Sequence, residues 1–175
     1  MPKYRKMLAD WEAPYIQSLI QVVDTQSKET LIRWCTDYAE TRLLSIYESQ
    51  FSEDLRPREA IAAARAWLAG EIKLPQAKPA LLACHEAARE AEGNPAAQAA
   101  ARAIGQSAST IHAATHCAGL ALYGALAVAY DTLGLDASWA ELECAAATEC
   151  GQMEAALRAI AVEGELHPAK LNWKC

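Results

Sequence analysis

Phenylalanine occurs once in 175 residues, and no stretch alternates apolar and polar positions with the β-branched content of a strand. Both shortages argue against a sheet-built core. No Cys-x-x-Cys pair exists among Cys35, Cys84, Cys117, Cys144, Cys150 and Cys175, so the common zinc and thiol-redox spacings are missing. There is no lysine- or arginine-rich stripe, and the formal net charge is −6. A nucleic-acid partner, which needs cations along its phosphates, is therefore not expected. No glycine-rich loop cradles a phosphate, and no motif implies a cofactor. The most apolar window, 118–129, is broken by glycines and a tyrosine and falls short of a membrane span, so no membrane association is expected. No signal-like apolar segment opens the chain. The expectation is a reduced, cytoplasmic protein whose thiols act as small buried hydrophobes, with Cys175 free at the terminus.

What is present is helical. Residues 95–134, PAAQAAARAIGQSASTIHAATHCAGLALYGALAVAYDTLG, are rich in alanine, glycine and serine and contain no proline after Pro95. Small side chains let neighbouring backbones approach closely, which places this stretch at the centre of a compact helical bundle. It is long enough for one helix, or for two joined near 105–109.

The flanking sequence supplies the surrounding rods. Lys3, Arg5 and Lys6 form a short amphipathic turn, and Trp11, Tyr15, Ile16, Leu19, Ile20 and Val23 recur at helical spacing. After a junction where Asp24, Thr25 or Ser27 can cap, a helix runs to about residue 47 with Ile32, Cys35, Ala39, Leu43 and Ile46 inward. Pro57 suits a first helical turn, and Ile61, Ala64 and Leu68 follow it to a stop at Gly70 and Pro75. A helix over about 77–92 buries Leu81, Cys84 and Ala88, and Asn94 caps the central stretch. A last helix, 139–162, is capped by Asp136 or Ser138 and closed by Gly164 to Pro168; Trp173 in the tail is placed to fold back. Regular heptads are absent, so the expectation is an all-α bundle of about six helices in a single domain over 1–175.

Candidate chemistry is sparse. His112 and His116 stand four apart, hence one turn apart on the same helical face, and can present two imidazoles to a metal. HxxxH lacks the glutamate of HExxH, so the pair needs ligands from elsewhere, with His85, Glu86, Cys84 and Glu149 as donors. The competing reading is that the imidazoles hydrogen-bond within the bundle or line a polar seam. A Cys–His nucleophile built from Cys84 or Cys117 has no visible oxyanion hole or orienting group. Glu141, Glu143, Glu149 and Glu154 on the last helix, and Glu86 with Glu90, read as solvated faces. Gly105, Gly119 and Gly124 read as close helix crossings. The segment Asp54-Leu55-Arg56-Pro57-Arg58-Glu59 sets Arg56 and Arg58 at a helix start. Arg58 and Glu59 can tie that start to a neighbour, or the arginines can receive a partner's carboxylate.

At these residues the chain resembles the Imm-5-like family of bacterial immunity proteins. The resemblance is carried by RWCTDYAETRLLSIYE at 33–48, DLRPREAIAAARAWLAGEI at 54–72 and ARAIGQSASTIHAATHCAGLALYGALA at 101–127, and covers about 32–131. Its most specific part is Arg-Pro-Arg-Glu-Ala followed by Ala-Arg-Ala-Trp-Leu. The family marks are Trp34, Asp37, Arg56, Pro57, Arg58, Glu59, Trp67, His112 and His116. The resemblance implies an all-helical protein that neutralises a cognate toxin by contact without catalysis, with Asp37, Arg56, Arg58 and Glu59 as candidate binding residues. A metal-dependent enzyme or metal sensor built on His112, His116 and His85 is the alternative. A homodimer through Ala/Gly-rich faces is a further form of assembly.

Overall fold

The computed structural model describes residues 4–173, and among them there are helices and no strands. Lys3 and Cys175, assigned above to an N-terminal turn and a free terminal thiol, lie outside the described residues. The helices are α1 (Pro14–Val23), α2 (Lys28–Tyr38), α3 (Leu44–Glu48), α4 (Arg56–Leu68), α5 (Leu74–Glu90), α6 (Pro95–Ser109), α7 (Ala125–Leu133) and α8 (Trp139–Ile160). A π turn over Ala39–Leu43 joins α2 to α3 as one rod.

Helix starts follow local chemistry. Ser27 Oγ accepts from Thr30 N at 3.2 Å and Asn94 Oδ1 from Ala97 N at 3.0 Å. At α8, Ser138 Oγ accepts from Glu141 N while Glu141 Oε2 accepts from Ser138 N at 2.8 Å, a reciprocal capping box. Lys73 N donates to Gln76 Oε1 at 2.8 Å, which starts α5 at Leu74 rather than near 77–79. Pro79 thus sits inside the helix, beyond its first turn, where the missing N–H removes the i→i−4 bond to Pro75 O. Gly70 and Gly134 take positive φ (76° and 78°) just past α4 and α7, where side chains other than glycine are strained.

α6 is the axis. It touches α2, α3, α4, α5 and α7, and Ala97, Ala99, Ala100, Ala101, Ala103, Ile104 and Ala108 are buried along it. The central stretch does not continue as one helix. It ends at Ser109, turns through 110–113, makes a 3₁₀ turn over Ala114–Cys117 and a π turn over Leu120–Gly124, then resumes as α7. This split yields seven helical rods where the sequence suggests about six. The break lies just beyond the 105–109 joint, and Gly105 stays helical. Ser109, Thr110 and Ile111 favour it: the first two hydroxyls compete for backbone groups, and Thr110 Oγ1 does bond Gln106 O at 3.3 Å.

The π turn at Ala39–Leu43 inserts one residue of phase. It lets Leu31, Trp34, Cys35 and Tyr38 before it, and Leu43, Leu44, Ile46 and Tyr47 after it, all face inward. Trp34 is anchored by its Nε1 donating to Met153 O of α8 at 2.9 Å. The glycines mark close approaches, each with its own neighbour. A Cβ on Gly124 would stand 2.9 Å from Leu43 Cδ1, one on Gly105 2.8 Å from His85 Cε1, and one on Gly119 2.3 Å from Gln106 Cβ.

The two ends of the described chain meet at Trp11 and Trp173. Residues 4–13 cross α7 and the start of α8: Leu8 N donates to Leu122 O at 2.8 Å, Tyr130 Oη to Arg5 O at 2.9 Å, and the Arg5 guanidinium lies 3.8 Å from the Trp139 ring centroid. The tail returns to α1. Ala169 N donates to Gln26 O at 2.8 Å, Trp173 Nε1 to Asp24 Oδ1 at 2.9 Å, and Trp173 packs on Trp11 at 5.2 Å between centroids. Trp173 does fold back. No helix among the described residues is long and apolar enough to cross a membrane.

Candidate functional site

The charged segment at the start of α4 is a lattice of ion pairs across α2, α3, α4 and α5. Arg56 clamps both oxygens of Asp54, Nε at 2.9 Å and Nη2 at 2.7 Å, and its Nη2 also reaches Glu90 Oε2 at 2.5 Å. Asp54 further accepts from Tyr47 Oη at 2.6 Å. The Arg56 hydrogen bonds, with help from Tyr47, hold the Asp54 carboxyl down to about 2 despite burial that works the other way. Arg58 clamps Glu48 with Nε at 3.0 Å and Nη2 at 2.9 Å. Arg65 bridges Asp37 at 2.7 Å and Glu40 at 2.8 Å.

Arg56 and Arg58 are therefore placed donors, but both are already engaged within the chain. Arg58 ties the start of α4 to Glu48 of the neighbouring α3. Glu59 is exposed and forms no ion pair among the described residues, and Asp37 keeps 66% of its side chain exposed. Around three arginines the lattice gathers Asp37, Glu40, Glu48, Asp54 and Glu90, so the face carries an acidic excess.

The histidines occupy a different place. His112 lies in the turn after α6 and His116 in the following 3₁₀ turn, so they do not share a helical face; their rings are 6.3 Å apart between centroids. His116 Nδ1 meets Gln106 Oε1 at 2.6 Å, while His85 Nε2 lies 3.3 Å from Ser109 Oγ. Glu86 pairs with Arg89, and Cys84 turns inward to Ala101 O at 3.4 Å. Among the described residues no three of His, Cys, Asp and Glu group as metal ligands. His112, His116 and His85 lie along a polar seam at the end of α6, where His116 and His85 are hydrogen-bonded within the chain. His85 is held below its usual value mainly by burial and then by Arg102 and His116, and His116 by burial and then by His112.

Cys84 and Cys117 are buried, and burial pushes both thiols up to about 12. Burial therefore disfavours the thiolate that a Cys–His nucleophile would need. Cys35 and Cys150 are also buried, as expected, whereas Cys144 is exposed.

Sequence reasoning missed Glu149. It is not part of a solvated face: it is 3% exposed, accepts Tyr38 Oη at 2.5 Å and takes Arg42 Nε and Nη2 at 3.1 and 3.0 Å. The only available signal was the four-residue spacing of Tyr38 and Arg42, which puts both on one side of the rod.

No curated protein and no solved structure significantly matches the chain. A family model matches residues 21–156, a span that contains the whole ionic lattice and all three seam histidines. The chain belongs to the Imm-5 like putative immunity protein family.

Proposed function

We propose that this chain binds a cognate bacterial toxin stoichiometrically and blocks it by contact, with no chemical step of its own. The observation that carries the reading is the family match across 21–156. The surface we assign to the toxin is the α2–α4 face, with Asp37 and Glu59 as outward carboxylates and Arg56 and Arg58 as fixed edges beside them. Bidentate pairs restrict the arginine rotamers before any partner arrives, so less conformational entropy is lost on docking. The acidic excess favours a basic toxin surface and speeds encounter with it.

The test is calorimetric titration of the purified chain with catalytically inactive products of the neighbouring genes. The reading predicts a 1:1 complex whose association slows with added salt, and at least tenfold weaker binding for D37K/E59K with an unchanged circular dichroism spectrum. If no neighbouring product binds, or if D37K/E59K binds as the wild type does, the assigned mode is wrong.

A further inference from the structure

Beside the histidine seam the described chain ends enclose an open cavity of about 360 Å³, lined by Trp11, Trp173, Tyr123, His116, Leu122 and Met7 among others. Its floor and its walls differ in origin. His116, Gln106, Gly119, Leu122 and Tyr123 lie within the family-matched span, whereas Met7, Trp11 and Trp173 belong to flanks outside 21–156. The flanks fold back to build this wall, held by the Trp11–Trp173 contact and by Trp173 Nε1 on Asp24.

We propose that this cavity is a specificity subsite that accepts an arginine side chain of the protein partner. The inference rests on the partner-binding reading above. Three features carry it. The described lining residues include no lysine, arginine or carboxylate, and two indoles and a phenol offer the π-faces that attract a guanidinium. The Trp173 N–H donates to a carboxylate, which enriches the ring electronically and sets the anionic Asp24 behind it. His116 Nδ1 stands 2.6 Å from Gln106 Oε1; with Nδ1 donating, Nε2 of the neutral ring keeps a lone pair, a matching acceptor for a guanidinium N–H.

The local build supports that assignment. Gly119 admits the Gln106 side chain where any Cβ would clash at 2.3 Å, so the floor is fitted to hold Gln106 against His116. Asp24, which accepts the Trp173 indole N–H, sets a carboxylate against the cavity wall. The described lining residues set no fixed positive charge against an entering cation.

The experiment uses the full chain with ¹⁵N-labelled tryptophan indoles, titrated with Nα-acetyl-arginine amide and, separately, with the uncharged isostere Nα-acetyl-citrulline amide. The proposal predicts saturable shifts of the Trp11 and Trp173 indole resonances with the arginine probe, a dissociation constant in the millimolar range, and at least tenfold weaker response to the citrulline probe. The indoles of Trp34, Trp67 and Trp139 should stay put. Equal response to both probes, no saturable response, or shifts spread over all five indoles would overturn it; none of these readings needs a variant. Trp11→Leu and Tyr123→Leu should each weaken toxin binding by tenfold or more, and toxin binding unchanged in both would also overturn the subsite. Failure of the immunity reading looks different: the wild-type chain then captures no toxin at all, while the two indoles still respond to arginine.

Discussion

Arg42→Ala should destabilise the protein by about 3 kcal/mol, and almost all of that loss should vanish when Glu149 is replaced by leucine. Glu149 sits 4% exposed in its side chain while the side chain of Arg42 is 46% exposed, so the pair is asymmetric. The two arginine hydrogen bonds, at 3.1 and 3.0 Å, are charge-assisted, and each is discounted because the cation is half in water. Together they contribute about 2 kcal/mol, and removing the arginine adds about 1 kcal/mol by leaving a desolvated carboxylate with only Tyr38 as donor. Glu149→Leu alone should cost about 1 kcal/mol, chiefly the orphaned Tyr38 hydroxyl, because Arg42 then relaxes into solvent. The assay is urea denaturation of wild type, both single variants and the double variant, with equal slopes checked first. If Arg42→Ala costs the same in the wild-type and Glu149→Leu backgrounds, the buried-carboxylate account is refuted.

Gly119→Ala should cost about 1–3 kcal/mol because its Cβ would lie 2.3 Å from Gln106 Cβ; a melting temperature equal to wild type would contradict the close approach. Gly105→Ala should be costly in the wild type and nearly neutral beside His85→Ala, since its clash at 2.8 Å is with the imidazole. Burial holds His85 and His116 below the ordinary histidine value of 6.5, so the unfolded chain takes up protons first. Stability should therefore be full only well above about 6.5 and fall as pH drops from 7 toward 5.5, with a further loss below 4 as Asp54, held at about 2, begins to matter. Denaturation midpoints that stay flat between pH 7 and 5.5 would contradict the first part. Ser138→Ala should remove the α8 capping box and about 1 kcal/mol, read as a drop in urea midpoint.

Local preferences carry far in this chain. The caps at Ser27, Asn94 and Ser138 and the stop at Gly134 are legible because each depends on residues within four positions. The central role of α6 is legible too, since a run of alanines only makes sense where backbones crowd. Features that depend on distant partners are not. Glu149 looks solvated until Tyr38 and Arg42, more than a hundred residues away, are brought against it. The π turn at Ala39–Leu43 shifts phase by one residue, which a broad apolar face conceals. His112 and His116 read as one turn apart on a shared helical face, whereas the break after Ser109 sets them in two successive turns. The cavity between the chain ends exists because Trp11 and Trp173 meet, a contact no periodicity encodes.

Rescue of growth tests the central claim most directly. Cells expressing an active candidate toxin from a neighbouring gene would carry the wild-type chain, D37K/E59K or an empty vector, with protein levels matched by immunoblot. The account predicts that the wild-type chain restores growth against one such toxin, with protection reduced in D37K/E59K. Growth arrest by every neighbouring toxin despite matched wild-type levels would contradict it.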